Sequence, residues 1–400
     1  MVQFYSPMSG GVRRYVEEKI EYLRKPPPHS HCLIIPSHRD AVTREDRTAV
    51  FEIKSPKLIG SASYRILMSR KKILAAIKEE KPAIIEVGDP YRAAWIGLSA
   101  AQQNNIPIVA FYHSDYPRAL DRTLRKYCGG FIESLVSPLI KKYLVSLYNR
   151  MSATVVSSRR CHEMLKAMGI GNLQTIALGT NLEVFYPRDS RRRIFKELDL
   201  SPDTRLLLFV GRLAREKNIR SLFEMMDLLK DRRNRYHLLL VGDGEFHDEV
   251  HIKAKEENCL TWLPFNYSPE RLADLYSAAD LLVHAGDCET FGLVSLEALA
   301  CGTRVLAVQG GGLEEGLQYE VPLIMARDIS GRALADAVRQ IWEVGETEVE
   351  KNARRRNMER HFSWNSTFSR LDRLYLALTG KEAPADPRKH ELANPALFTN

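Results

Sequence analysis

Short apolar runs alternate with helical patterns along almost the whole chain, and that alternation leaves few folds open. CLIIPS (Cys32–Ser37), AIIEVG (Ala83–Gly88), IPIVAFYHS (Ile106–Ser114), ATVVSS (Ala153–Ser158) and LQTIALG (Leu173–Gly179) read as strands buried on both faces. Val12–Leu23 and Ala93–Asn104 read as helices between them. A second series follows: Arg205–Gly211, His237–Gly242, Leu260–Phe265, Asp280–Ala285, Arg304–Val308 and Val321–Met325. Strands separated by helices predict a doubly wound parallel sheet, and two such series in 400 residues predict two α/β domains. The expected boundaries are 1–186 for the first domain, a polar, proline-flanked hinge at 187–204, and 205–362 for the second. Phe362–Gly380 (363–380 in the domain division) reads as a terminal helix and 381–400 as a poorly ordered tail. The first strand, VQFYS, begins at residue 2 and reads as cut short.

A hydrophobic content of 44% with 27% charged residues is that of a globular chain. No apolar run is long enough to span a bilayer and no signal peptide is evident, so a cytoplasmic location is expected. The six cysteines (Cys32, Cys128, Cys161, Cys259, Cys288, Cys301) lack metal-ligand spacing and read as reduced core fillers, with no metal site. The net charge of +8 is concentrated: between Arg118 and Arg160 nine Lys or Arg stand against Asp121 and Glu133. Interleaved with them is the apolar stretch Phe131–Tyr148. Basic and amphipathic together read either as a peripheral attachment surface for an anionic membrane, through 118–160, or as a helix with a solvated basic face. No nucleic-acid module is present.

The block LLVHAGDCETFGLVSLEALACGTRVLAV, Leu281–Val308, carries the chemistry. It reads as strand, polar loop, helix and strand. Glu289 falls at the carboxyl end of the first strand, where open α/β sheets bind ligands. Thr290, Phe291 and Gly292 open the helix, offering free N–H groups to an anion or a sugar oxygen. Glu297 sits in the middle of a helix that is apolar on nearly every side (Leu293–Cys301). A buried carboxylate needs a partner, and a ligand diol would serve. Gly310-Gly311-Gly312 makes another exposed turn after the next strand.

This block resembles the Glu-x7-Glu signature of the family 4 (group 1) retaining glycosyltransferases, enzymes of the two-domain GT-B fold. FVGRLAREKNI (Phe209–Ile219), LLLVGDGE (Leu238–Glu245), LGTNLEVFYP (Leu178–Pro187), SGGVRRY (Ser9–Tyr15) and FYHSDYPR (Phe111–Arg118) resemble further motifs of the same family in the same order, from about Gln3 to Leu378. Asn181 departs from the pattern, standing where Asp is usual. The resemblance implies two Rossmann-like domains facing across a cleft, with the C-terminal helix crossing back to the first domain.

It also implies roles. Arg212 and Lys217 would hold the donor diphosphate, Glu289 the hydroxyls of the transferred sugar, and Glu297 the ribose diol. The N–H groups of Phe291, Gly292 and Leu293 would assist, with Thr290 beside them, and Gly10 and Gly11 would approach the diphosphate from the opposite domain. His113 would face the reacting sugar, orienting donor or acceptor. Asp243 reads equally as turn chemistry or as a contact near the nucleotide. The implied partners are a nucleotide-diphosphate-sugar donor, serving as co-substrate without a metal or other cofactor, and a lipid or glycan acceptor reached from Tyr112–Arg118 and the basic segment. GDP-mannose is the first donor expectation, a UDP-hexose the second. The alternatives are another GT-B activity, such as an epimerase, or nucleotide-sugar binding without catalysis. The turn Ser-Gly-Gly-Val-Arg-Arg lacks the third glycine of a dinucleotide turn, which speaks against a nicotinamide-dependent dehydrogenase.

Overall fold

The computed structural model describes residues 1–3, 5, 10–25, 29–58, 64–230, 235–264, 268–320 and 322–380, with the backbone alone for 119–133. The expected tail, Ser9, Val321, much of VQFYS and the side chains of Arg122, Arg125, Lys126 and Phe131 lie outside the described residues.

The first domain holds β1 (His31–Ser37), β2 (Ala41–Glu45), β3 (Thr48–Lys54), β4 (Ile85–Val87), β5 (Ile108–Tyr112), β6 (Ala153–Val156) and β7 (Leu173–Thr175). They form a three-stranded sheet, β1-β3-β2, and a four-stranded sheet, β4-β5-β6-β7. The opening residues stitch the two together. Val2 N–H donates to the Ile34 carbonyl at 3.2 Å, and Gly88 N–H donates to the Met1 carbonyl at 3.0 Å. The short first segment thus bridges the two sheets, between β1 and β4. All pairings are parallel except β2 with β3. That hairpin was not expected from the sequence: β2 is polar and largely exposed, so it carries no apolar run to announce it.

The second domain is a five-stranded, wholly parallel sheet, with β8 (Arg205–Val210), β9 (Tyr236–Val241), β10 (Leu260–Leu263), β11 (Leu281–His284) and β12 (Arg304–Ala307) in the order β10-β9-β8-β11-β12. Strand order reverses between β8 and β11, so a crevice opens at their carboxyl ends. The segment expected as a hinge, 187–204, is not a plain linker. It contains the helix Arg191–Glu197, whose Ile194 and Phe195 are buried against the second domain. The expected strand at Val321–Met325 is absent over its described residues, and a single bridge, Val308 to Ala326, follows it.

The terminal helix, Trp364–Leu378, returns to the first domain. Thr180 N–H donates to the Phe362 carbonyl at 2.8 Å as the chain crosses. Phe368 then packs on Tyr15 and Tyr22 of the helix Gly11–Arg24, and Tyr22 donates to Asp372 at 3.2 Å. Lys19 of the same helix donates to the Tyr375 hydroxyl at 3.0 Å and to Glu86 at 2.8 Å. Apolar burial makes this crossing favourable, and the buried Lys19–Glu86 pair fixes where the helix lands.

Candidate active site

The crevice in the second domain receives its residues from the turns after β8 and β11. Lys217 ends the short turn Arg215–Lys217, and its ammonium forms an ion pair with Glu289. Burial pushes that ammonium down to about 8, and the nearby Arg212 charge acts the same way. His284, at the end of β11, brings Nε2 to 3.5 Å from the same Glu289 oxygen. Its Nδ1 accepts from Gly286 N–H at 3.2 Å, which leaves the proton on Nε2, a buried donor with no hydrogen-bond partner among the described residues. Burial lowers its pKa to about 3, so the ring is neutral at pH 7. Arg212 is not gathered in. It is 64% exposed at the rim and paired with Glu216 at 2.7 Å.

Two glycines shape this loop. Gly292 adopts φ +81°, and a Cβ there would lie 2.7 Å from Leu313 Cγ. Gly312 presses its Cα against the Glu289 carbonyl, leaving no room for a side chain. The helix Leu293–Ala300 starts immediately after Gly292, and the N–H groups of Phe291, Gly292 and Leu293 meet no acceptor among the described residues. The Phe291 side chain is buried in the core, so only its backbone can serve the crevice.

Glu297 is 1% exposed, as its apolar helix predicts, yet its partners are protein groups. The Tyr276 hydroxyl donates to Oε2 at 2.9 Å, and Oε1 forms an ion pair with Arg14 of the first domain. Arg14 lies on the helix Gly11–Arg24, which opens after Gly10. A Cβ on Gly11 would sit 3.6 Å from Leu293, so the N-termini of two helices meet here across the cleft. Their N–H groups and partial positive charge favour an anion at that point.

The opposite wall comes from β5 and the segments beyond. His113 stacks on Phe111 with ring centroids 4.4 Å apart and meets Tyr15 edge-on at 4.9 Å. Burial lowers its pKa to about 4, and its buried Nε2 has no hydrogen-bond partner among the described residues. Its carbonyl accepts from Thr290 Oγ1 at 3.0 Å. Ser158 Oγ donates to the Thr290 carbonyl at 2.9 Å, and Arg118 binds both the carbonyl and the carboxylate of Asp287 at 2.8 Å. Asp243 is a turn residue here, accepting from Gly244 N–H at 2.7 Å and lying 3.0 Å from His247.

The structure therefore gathers Gly10, Gly11, His113, Lys217, Glu289, Thr290, Gly292, Leu293 and Glu297 around one cleft and leaves Arg212 at its edge. Sequence reasoning missed Arg14, Tyr276, His284 and the Arg118–Asp287 pair. Only Arg14 left a legible signal. Cations near a helix N-terminus oppose the helix dipole, so Arg13 and Arg14 directly after two glycines point to an anion nearby.

Two family models cover most of the chain: Glycosyltransferase Family 4 matches residues 9–184, and Glycosyl transferases group 1 matches residues 190–359. The chain belongs to the family 4 (group 1) glycosyltransferases. This glycosyltransferase is 26% identical over 321 residues to a GDP-mannose-dependent alpha-mannosyltransferase of Mycobacterium tuberculosis, covering 78% of this chain and 79% of that one. It is also 26% identical over 365 residues to the GDP-mannose-dependent alpha-(1-6)-phosphatidylinositol dimannoside mannosyltransferase of the same organism, covering 89% of this chain and 90% of the other. The solved sucrose-phosphate synthase of Thermosynechococcus elongatus superposes with a TM-score of 0.74 at 22% identity, covering 93% of this chain and 94% of that one. That likeness shows the fold, two Rossmann-like domains in the GT-B arrangement.

Proposed function

We propose that this glycosyltransferase moves a hexosyl group, mannose foremost, from a nucleotide diphosphate sugar to a hydroxyl of a lipid or glycan acceptor, with retention at the anomeric carbon. The observation that carries the reading is the pairing of Glu289 with Lys217 and of Glu297 with Arg14 beside two facing helix N-termini. Carboxylates suit a polyol, and cations with helix N-termini suit a diphosphate. The similarity to two GDP-mannose-dependent enzymes supports GDP-mannose ahead of a UDP-hexose.

In this scheme Glu289 holds the sugar hydroxyls and Glu297 the ribose diol. Lys217, with Arg212 drawn in from the rim, neutralises the leaving diphosphate, so no metal is called for. The acceptor oxygen bonds to the anomeric carbon on the face from which the diphosphate departs. The anomeric carbon–oxygen bond breaks, and the acceptor proton passes to the departing phosphate oxygen. His113 orients the reacting sugar through its buried Nε2. A neutral imidazole at pH 7 suits a hydrogen bond better than charge stabilisation.

A lipid acceptor is favoured by the helix Tyr116–Tyr148, which leaves Leu135 and Leu139 66% and 64% exposed, one turn apart, beside exposed Lys141 and Lys142. No helix among the described residues is long and apolar enough to cross a membrane, so such an acceptor would be met at the surface. The test is nucleoside diphosphate release from GDP-mannose and from UDP-hexoses, with and without anionic vesicles bearing a polyol headgroup. The reading predicts vesicle-dependent release, greatest from GDP-mannose, and a sugar-bearing lipid product of retained configuration. Absence of release from every donor, in vesicles or with soluble glycans, would refute it.

A further inference from the structure

Glu297 belongs to the second domain, but the cation that neutralises it comes from the first. Arg14 reaches across the cleft with its guanidinium 5.8 Å from the centre of the Phe185 ring. The other acids on its own helix are engaged elsewhere: Glu17 accepts from Arg13 at 2.7 Å, and Glu18 accepts from Asn181 at 3.2 Å. Glu297 is also screened: its side chain is 2% exposed, with Tyr276 donating to Oε2 and Arg14 lying over Oε1. A diol can therefore reach this carboxylate only by taking the place that Arg14 holds. Once displaced, a partly buried guanidinium is best served by another anion. One lies within reach in a bound donor, because the helix carrying Arg14 opens at Gly11, where it faces Leu293 and the second helix N-terminus.

We propose that Arg14 is an exchangeable ligand. It caps Glu297 as the structure shows it and moves to the donor's diphosphate when the ribose diol takes Glu297. This rests on the nucleotide-sugar reading given above. Its consequence is discrimination: a nucleoside alone must break the Arg14–Glu297 pair without replacing it, whereas a nucleoside diphosphate supplies the replacement anion.

The test is calorimetric titration of guanosine, GDP, uridine, UDP, adenosine and ADP into the wild type, Arg14→Met and Arg14→Lys. Methionine keeps the length and apolar packing without the charge, and the thermal midpoint reports folding. In R14M, nucleoside affinity is expected to rise, since the competitor for Glu297 is gone. Diphosphate affinity is expected to fall about ten- to a hundred-fold, the worth of a hydrogen bond to a charged group. R14K is expected to retain most of the preference for the diphosphate. Equal weakening of nucleoside and diphosphate in R14M would make Arg14 a wall residue and overturn the exchange, as would an unchanged diphosphate affinity. If R14M does not fold, loss of the diphosphate preference in folded R14K overturns it too. A folded wild type that binds none of the nucleotides would instead bring down the donor reading itself.

Discussion

Asn181 replaces the Asp usual at its position in the resembled motif, and its neighbours account for the amide. Asn181 Nδ2 donates to Glu18 Oε1 at 3.2 Å, while its Oδ1 accepts from Glu183 N–H at 3.1 Å. Burial pushes the Glu18 carboxyl up, with the Asn181 hydrogen bond opposing. An aspartate would turn that donor into a second carboxylate facing the first. Asn181→Asp is expected to cost about 1–2 kcal/mol, by loss of a hydrogen bond to a charged group and like-charge repulsion. Denaturant unfolding checks the value, and the cost should shrink in the Glu18→Gln background. An equal cost in both backgrounds would separate Asn181 from Glu18. The residues most legible in the sequence were Glu289 and Glu297, because each is a charge set in an apolar or turn context that does not need one. Tyr276 and His284 were not legible: a tyrosine in an amphipathic helix and a histidine ending an apolar strand look like ordinary core residues until the helices pack.

Elements were readable where burial is two-sided. Parallel strands covered on both faces leave unbroken apolar runs, and those runs fell on β1 and on β4–β12 to within a few residues. The hairpin of β2 and β3 escaped because β2, AVTRE, is largely solvent-exposed, and its tight turn rests on Asp46 at φ +50°. The helix Arg191–Glu197 escaped for a related reason, since seven mostly charged residues bury only Ile194 and Phe195. The unit joining β11, the loop and the helix Leu293–Ala300 was legible as strand, turn and helix, but not the close approach of Gly312 to the Glu289 carbonyl. Gly312→Ala must therefore push the Glu289 loop away from Lys217. Turnover is expected to fall by about a hundredfold or more, the usual result of misplacing a reacting group by about 1 Å. Steady-state kinetics beside a near-native circular dichroism spectrum would check it, and unaltered turnover would show that the loop tolerates the shift.

Across the whole molecule, four buried imidazoles couple the fold to pH. Burial lowers His31 and His284 to about 3, and His113 and His237 to about 4, against 6.5 for an exposed histidine. Below pH 6.5 the unfolded chain binds protons that the folded chain refuses until about pH 4 at His113 and His237 and about pH 3 at His31 and His284. Their contribution is thus complete above pH 6.5 and is lost as pH falls from 6.5 toward those values, at about 1.4 kcal/mol per histidine per pH unit. Burial would raise Glu86, but Lys19 and Tyr375 hold it down at about 2, so this carboxylate loses its contribution in the same direction, below pH 4.5. Unfolding measured at pH 7.5, 6.5 and 5.5 should show stability level at first and then falling. A flat profile down to pH 5 would mean that these rings are not buried. Two α/β domains were legible at this scale in two series of alternating elements, and the resemblance to the family implied their GT-B arrangement. The closed cleft, with its charges paired across domains, was not, since each partner lies more than a hundred residues from the other.

The central claim is that the cleft binds a nucleotide diphosphate sugar through Glu289 and Glu297. It is tested most directly by the thermal shift of the wild type, Glu289→Ala and Glu297→Ala with a panel of such sugars. A ligand present at about 100 times its Kd stabilises the folded state by about 2.7 kcal/mol. One donor, GDP-mannose first, should raise the wild-type midpoint by several degrees and leave both variants unmoved. A wild type indifferent to every nucleotide sugar, or variants that shift as far as it does, would contradict the assignment of this cleft.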